Sequence, residues 1–279
     1  MIGSIEIIKK SGQIESFDPV KLKQSLGRIG ADPVQAEKIA DSIEAKFKGK
    51  RVQSGLIFDQ ALNQLKKIHP TLATKYNLRR AIYLFGPAGY NFEHYLDRVL
   101  KNYGYQTERN IFVQGKCLSY ETDVLAKKDD EEFLIEAKFH QEEGIKSDLQ
   151  TVLYIYGRFI DIREKLIESD QNKIYRPWLI TNTKITNEGI EFGRCRQIKI
   201  TAWRYPEGES LQNLIEQKKL YPITILTSLN PSLAKILIEK DLVLVSDLKN
   251  YDLKSLNILT RIEQGKLNRI LDEANLLLG

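Results

Sequence analysis

The sequence predicts a multidomain α/β protein in three modules: a β-hairpin with helices, a mixed sheet flanked by helices, and a small helical module. Three observations carry this. The 279 residues exceed the roughly 100–200 of one domain. The middle of the chain alternates strand and helix periodicities in the order α-β-β-β-α-β-α-β, which requires a mixed sheet with helices packed on it. The pattern breaks at Gly86-Pro87-Ala88-Gly89 and again near residue 208, where leucine-rich helical spacing takes over. The expected modules are residues 1–88, 89–208 and 209–279.

At 42% hydrophobic and 28% charged, the chain has material for real cores. No apolar run reaches the roughly 18–20 residues of a membrane span. Met-Ile-Gly-Ser-Ile-Glu is not a secretory leader. Cys117 and Cys195 cannot build a disulfide framework. A cytoplasmic protein with no membrane partner is expected. Residues 1–88 carry 15 Lys+Arg against 8 Asp+Glu, and residues 89–208 carry 18 against 20. A basic first module suits a polyphosphate or nucleic-acid backbone, or is simply a solvated surface. An acidic middle suits a cation.

In the first module, residues 4–17 alternate as two strands about the turn Lys10-Ser11-Gly12-Gln13. Asp18-Pro19 and Asp32-Pro33 each open a helix, Asp as N-cap and Pro at the first helical position. Helical spacing continues through 56–68 and 72–85. In the middle module, Phe92, Leu96, Val99, Leu100 and Tyr103 mark a helix closed by Gly104. Strands are expected at 111–114, 119–126 and 133–139, a long helix at about 145–167, a strand at 178–181, a helix near 187–194 and a strand at 198–203. Arg194, Arg196, Lys199 and Arg204, with Trp203 and Tyr205, read as a phosphate-backbone surface or as solvated edge charge.

The chemistry concentrates in Tyr120-Glu121-Thr122-Asp123-Val124 and Leu134-Ile135-Glu136-Ala137-Lys138-Phe139. Residues two apart in a strand share a face, so Glu136 and Lys138 lie opposite Ile135, Ala137 and Phe139. A hairpin closing through Lys128 and Glu131 brings Asp123 beside Glu136. Two carboxylates and an ammonium then converge at one sheet edge. Such hard oxygen ligands suit Mg²⁺ (or Mn²⁺), which would acidify a water and neutralise phosphate charge while Lys138 orients the water.

The spacing Asp-x(12)-Glu-x-Lys in this element order resembles the PD-(D/E)xK nuclease fold. The lead-in Gly89-Tyr90-Asn91-Phe92-Glu93, closing at Tyr103-Gly104-Tyr105, is similar to the first helix of Mrr-like restriction endonucleases. The resemblance implies a restriction-endonuclease-like αβββαβ core in which Asp123, Glu136 and Lys138 are catalytic and Glu93 is a further acid, with Glu93, Asp123 and Glu136 on the metal. Gln150 matches a polar helper position. DNA is the implied substrate, and defence against foreign DNA the implied role. Mrr proteins usually carry a glycine-rich approach to the Asp and Gln-x-Lys in the second motif. Here Glu136-Ala137-Lys138 stands closer to Holliday-junction resolvases and other repair nucleases. His140 shares the Lys138 face and reads as an ordinary strand-end histidine, and His69 and His94 read as structural.

Ile7 through Asp18, with its Glu15-Ser16-Phe17-Asp18 exit, then Lys21, resembles the opening of an ATP-cone, and the likeness extends over residues 1–85. It implies Lys9, Lys10 and Lys21 on the phosphates of ATP or dATP, with Glu15, Asp18 and Ser54 as further contacts. Lys10 and Ser11 replace the usual Arg and Asp. No P-loop is present, so ATP hydrolysis is not expected, and the resemblance implies a nucleotide that acts as an allosteric effector, expressed through a homo-oligomer. Residues 233–240, 242–248 and 267–278 resemble degenerate helix-hairpin-helix units. Their expected turn, Arg261-Ile262-Glu263-Gln264-Gly265-Lys266, holds one glycine and an acid, which favours a structural or protein-contact role. The whole reads as a metal-dependent DNA endonuclease under ATP or dATP control. The alternatives are a nucleotide-responsive DNA-binding regulator with a vestigial core, or a repair or branched-DNA nuclease.

Overall fold

The computed structural model describes residues 4–9, 12–86, 89–142, 144–169 and 174–279. Lys10 and Ser11 of the first turn, and Pro87-Ala88 of the expected boundary, lie outside the described residues.

The first module opens with β1 (Glu6–Ile8) antiparallel to β2 (Ile14–Ser16). Asp18 accepts hydrogen bonds from the Val20 and Lys21 amides and so caps α1 (Pro19–Gly27), a cap worth about 1 kcal/mol. Asp32 does the same for α2 (Pro33–Phe47) through the Gln35 amide. A strand absent from the sequence reading, β3 (Arg51–Gln53), adds to β1 in parallel. At three residues flanked by charge, its alternation is too short to register. α3 (Ser54–Ile68), α4 (Pro70–Tyr76) and α5 (Leu78–Tyr83) complete the run. Ile39, Ile43, Ala61 and Leu65 form this module's own core, which reaches Tyr76.

The second module holds α6 (Tyr90–Asn102), β4 (Gln106–Gln114), β5 (Ser119–Lys128), β6 (Glu131–Lys138), β7 (Lys146–Ser147) and α7 (Leu149–Ser169). It continues through β8 (Ile174–Thr181), β9 (Lys184–Ile185), α8 (Asn187–Cys195) and β10 (Lys199–Thr201). The sheet order is β10-β8-β6-β5-β4, with β4, β5 and β6 antiparallel and β6, β8 and β10 parallel. The parallel step from β6 to β8 needs a long crossover, which α7 supplies.

Two differences from expectation have local causes. β4 begins five residues early, at Gln106, because its inward side chains there, Thr107 and Arg109, are polar and hide the alternation. α7 begins late because Lys146-Ser147 pairs with β9, after which the Asp148 carboxylate accepts from the Thr151 amide.

The third module holds α9 (Leu211–Gln217), α10 (Pro231–Glu239), α11 (Leu253–Thr260) and α12 (Gln264–Leu278), with single 3₁₀ turns at Ile223–Ile225 and Val245–Asn250. Arg261 takes a left-handed φ of 58° after α11, where the sequence reading places a turn. Its leucines do not form a separate core. They join α5, α6 and one face of the sheet in a single cluster running from Leu78 to Leu278. The other sheet face packs on α7 and α8. Two further ties fix the third module to α6. Arg98 donates to Asp241 at 3.1 Å and to Asp247 at 2.5 Å, and Tyr95 donates to the Leu220 carbonyl. Among the described residues no helix is long and apolar enough to cross a membrane.

Candidate functional site

The hairpin closes as the spacing predicts. Lys128 pairs with Glu131 across Asp129-Asp130, Asp129 taking a left-handed φ of 53°, and the ladder runs to Val124 opposite Ile135. One residue further, the ladder gives way to a side chain: the Ala137 amide donates to Asp123 Oδ2 at 2.7 Å. Asp123 and Glu136 are therefore brought together, and burial followed by the Glu136 charge pushes the Asp123 carboxyl up to about 6. Ile135, Ala137 and Phe139 pack toward the α6 side, as the alternation requires. Lys138 follows Glu136 on the same strand face and is exposed.

Glu93 lies in the first turn of α6. Gly89 leaves room for it: a Cβ there would lie 3.3 Å from Glu93 Oε1. Its other oxygen accepts from Asn110 Nδ2 at 3.1 Å, and Asn110 holds a left-handed φ of 50° in β4, a conformation asparagine tolerates well. Burial and the Asp123 charge raise the Glu93 pKa, with Glu121 adding to the effect. Four carboxylates, on Glu93, Glu121, Asp123 and Glu136, thus share one field. Gln150 is exposed in the first turn of α7.

Sequence reasoning misses one central residue. Arg158 of α7 donates to Glu136 Oε2 at 2.7 Å and to the Glu121 carbonyl, and its guanidinium stacks over Tyr120 and Tyr154. Its helical phase toward the sheet was the available signal. The expected ready-made set of three carboxylates is not assembled. Among the described residues no group of three or more His, Cys, Asp and Glu side chains is placed to hold a metal. The reason is local pairing: Glu136 is drawn to Arg158 and Glu93 to Asn110. Asp123 and Glu136 nevertheless fit a hard cation such as Mg²⁺. They are all-oxygen donors with a charge excess that a cation would relieve, and Mg²⁺ needs only one or two carboxylates because it keeps several waters. His140 belongs to a separate set, its Nε2 3.1 Å from Ser147 Oγ and its amide donating to Asn182. His94 is buried with Nε2 2.5 Å from Asp241, a structural tie as read from the sequence.

In the first module, Lys9, Glu15, Asp18, Lys21 and Ser54 all line one cavity of about 710 Å³, together with Phe58 and Tyr76, whose rings stack at 4.8 Å. Lys9 pairs with Glu15 at 2.6 Å, and Lys21 lies 3.9 Å from Asp18. The expected cluster is brought together, except for Lys10, which lies outside the described residues. Of the basic residues near β10, Lys199 turns inward, its Nζ 3.7 Å from the Trp178 ring, so it is not part of a phosphate surface.

Residues 5–83 match the family model of the ATP cone domain, and residues 221–278 match that of AF1548-like, C-terminal. An uncharacterized protein of Archaeoglobus fulgidus is 40% identical over 129 residues, spanning 46% of this chain and 70% of that protein. The crystal structure titled as the protein of unknown function AF1548 superposes with a TM-score of 0.57 at 33% identity, over 67% of this chain and 97% of that one. With that identity and coverage, the chain belongs to the AF1548-like family and carries an ATP-cone domain at residues 5–83.

Proposed function

We propose that the protein is a metal-dependent DNA endonuclease with a PD-(D/E)xK-type core, controlled by ATP or dATP bound in its ATP-cone. The observation that carries this reading is the juxtaposition of Asp123 and Glu136 at the end of their ladder, with Lys138 on the same strand. Bound there, Mg²⁺ or Mn²⁺ would neutralise phosphate charge and acidify the attacking water. Asp123 and Glu136 would hold the cation, with Glu93 alongside. Lys138 places a positive donor where it can position the nucleophile or meet charge developing on the phosphate. Arg158 keeps Glu136 in place until a cation competes for it.

Because Asp123 retains its proton up to about pH 6, cation binding is coupled to loss of that proton. At subsaturating metal, cleavage should therefore rise as pH passes through 6. In the cone, Lys9 and Lys21 face the phosphates as point charges, a role the family resemblance also implies for Lys10, and Glu15, Asp18 and Ser54 complete the cavity. Nucleotide acts there as an effector, and a change of homo-oligomeric state is the readout this predicts. The third module, fused to the main core, serves structure.

The test is to incubate wild type and Glu136→Ala with supercoiled, linear and single-stranded DNA, with Mg²⁺ or Mn²⁺, with and without ATP or dATP. Cleavage by wild type alone supports the nuclease, and its nucleotide dependence gives the sign of the control. Binding without cleavage under every condition favours a nucleotide-responsive DNA-binding regulator. The Glu136–Arg158 ion pair, which occupies a carboxylate the chemistry needs, is an observation on that side.

A further inference from the structure

A second cavity lies at the seam between the cone and the rest of the chain. It encloses about 360 Å³, within the range of small-molecule sites, and is lined on the cone side by Arg28, Lys75 and Arg79 and on the other by Trp203 and Arg204. Its charge is one-sided. Asp59, the acid in the lining, is taken by Arg80 at 2.6 Å. Among the described residues no carboxylate pairs with Arg28, Lys75, Arg79 or Arg204. Arg204 donates weakly to Gln212 at 3.4 Å, and Arg79 to the Tyr83 hydroxyl at 3.3 Å. Burial, then the charges of Arg28 and Arg79, depress the Arg204 pKa against a smaller opposing pull from Glu216, so the three guanidinium groups feel one another.

Two donors at this seam are buried without an acceptor: the indole N–H of Trp203, a residue only 2% exposed, and Nε–H of Arg79. An unanswered buried donor costs about 1–3 kcal/mol, and like charges facing one another add to the imbalance. A multivalent anion answers the charge.

We propose that this seam cavity binds a phosphate-bearing anion of small-molecule size, held jointly by Arg28 and Arg79 of the cone and Arg204 of the segment after β10. The cavity adjoins the cone cavity through Ser54, Phe58, Tyr76 and Arg79, which line both. A ligand here ties the cone to the sheet. Arg204 lies three residues after β10, and β10 is separated from β6, the strand of Glu136 and Lys138, by β8 alone.

The experiment uses the full chain with Lys9→Ala and Lys21→Ala, which weakens the neighbouring cone cavity, and titrates sodium tripolyphosphate by calorimetry. Binding should persist in that background, weaken with added salt, and fall at least tenfold when Arg28→Gln and Arg204→Gln are added. Arg204→Lys, which keeps the charge, should stay within a few-fold of the parent and shows that the Gln effect is not loss of fold. ATP binding more tightly than tripolyphosphate identifies a nucleotide as the occupant, and equal affinity identifies the polyphosphate group alone. No binding in the background up to millimolar concentration, or binding indifferent to Arg28→Gln/Arg204→Gln, overturns the proposal.

Discussion

The cone cavity and the carboxylate cluster on the sheet treat charge in opposite ways. In the cone, Lys9 is paired with Glu15 and Lys21 sits near Asp18, so these two lysines have local answers. On the sheet, Glu136 has Arg158, but Asp123 is half-buried against Glu136 with an amide as its donor and a carboxyl raised to about 6. A phosphate entering the cone must displace acids from lysines, which favours an exchangeable effector. A cation entering the sheet cluster relieves repulsion that the fold has built in. Lys9 and Lys21 are answered before a ligand arrives, and the Asp123 charge is not.

That contrast can be broken most severely at the sheet. Asp123→Ala or Glu136→Ala should lower metal-dependent cleavage by about a thousandfold with folding intact, the scale seen when a charge-stabilising group is removed. Residual activity in either variant near the wild-type rate would place the chemistry elsewhere. At the cone, Lys9→Ala with Lys21→Ala should weaken ATP or dATP binding by about a hundredfold, two charge-assisted contacts at roughly 1.5 kcal/mol each. Calorimetry showing unchanged affinity would remove these lysines from the phosphates.

A third acid sharpens the comparison. Asp247 is buried and its pKa also raised, but it accepts from the Val243 and Leu244 amides and pairs with Arg98. Arg98→Ala would turn it into a second Asp123, and urea unfolding should register a loss of about 2 kcal/mol, discounted because Arg98 reaches solvent. The smallest effect has the opposite sign. Asp123 binds its proton more tightly folded than unfolded, so its ionisation weakens the fold as pH rises from the ordinary carboxylate range through 6. Asp123→Asn should therefore stabilise the metal-free protein by about 1–2 kcal/mol at pH 8, and the gain should vanish by pH 4. A thermal-melt difference independent of pH would show that burial of Asp123 is not the cause.

Residues read along one strand were legible because strand geometry is local. The six polar residues from Lys127 to Glu132 announce the hairpin, and the hairpin then sets Asp123 against Glu136 without further information. Arg158 was not legible. It lies 22 residues from Glu136, on a helix whose rotation about its axis is settled only by packing. The same holds for Arg204 and Arg28, which meet only because the modules meet. Asn110 was hidden for another reason, since its left-handed φ interrupts a strand whose first half already reads as polar. In the third module the leucine spacing reveals helices but not their partner, and that partner proves to be α6 and the sheet.

The shared core from Leu78 to Leu278 has a consequence for how the chain is made. The cone up to Tyr76 has its own core and holds its apolar partners once α4 leaves the ribosome, whereas Leu78, Ala81 and Ile82 of α5 pack into the shared core. Domains of that kind fold as units during synthesis. The segment behind it has no such freedom. Tyr95 and Arg98 of α6 meet their partners at Leu220, Asp241 and Asp247 only after more than a hundred further residues have been translated. At synthesis rates of about 5–20 residues per second, that face of α6 stays wet for many seconds, and this is the interval in which a chaperone would find it.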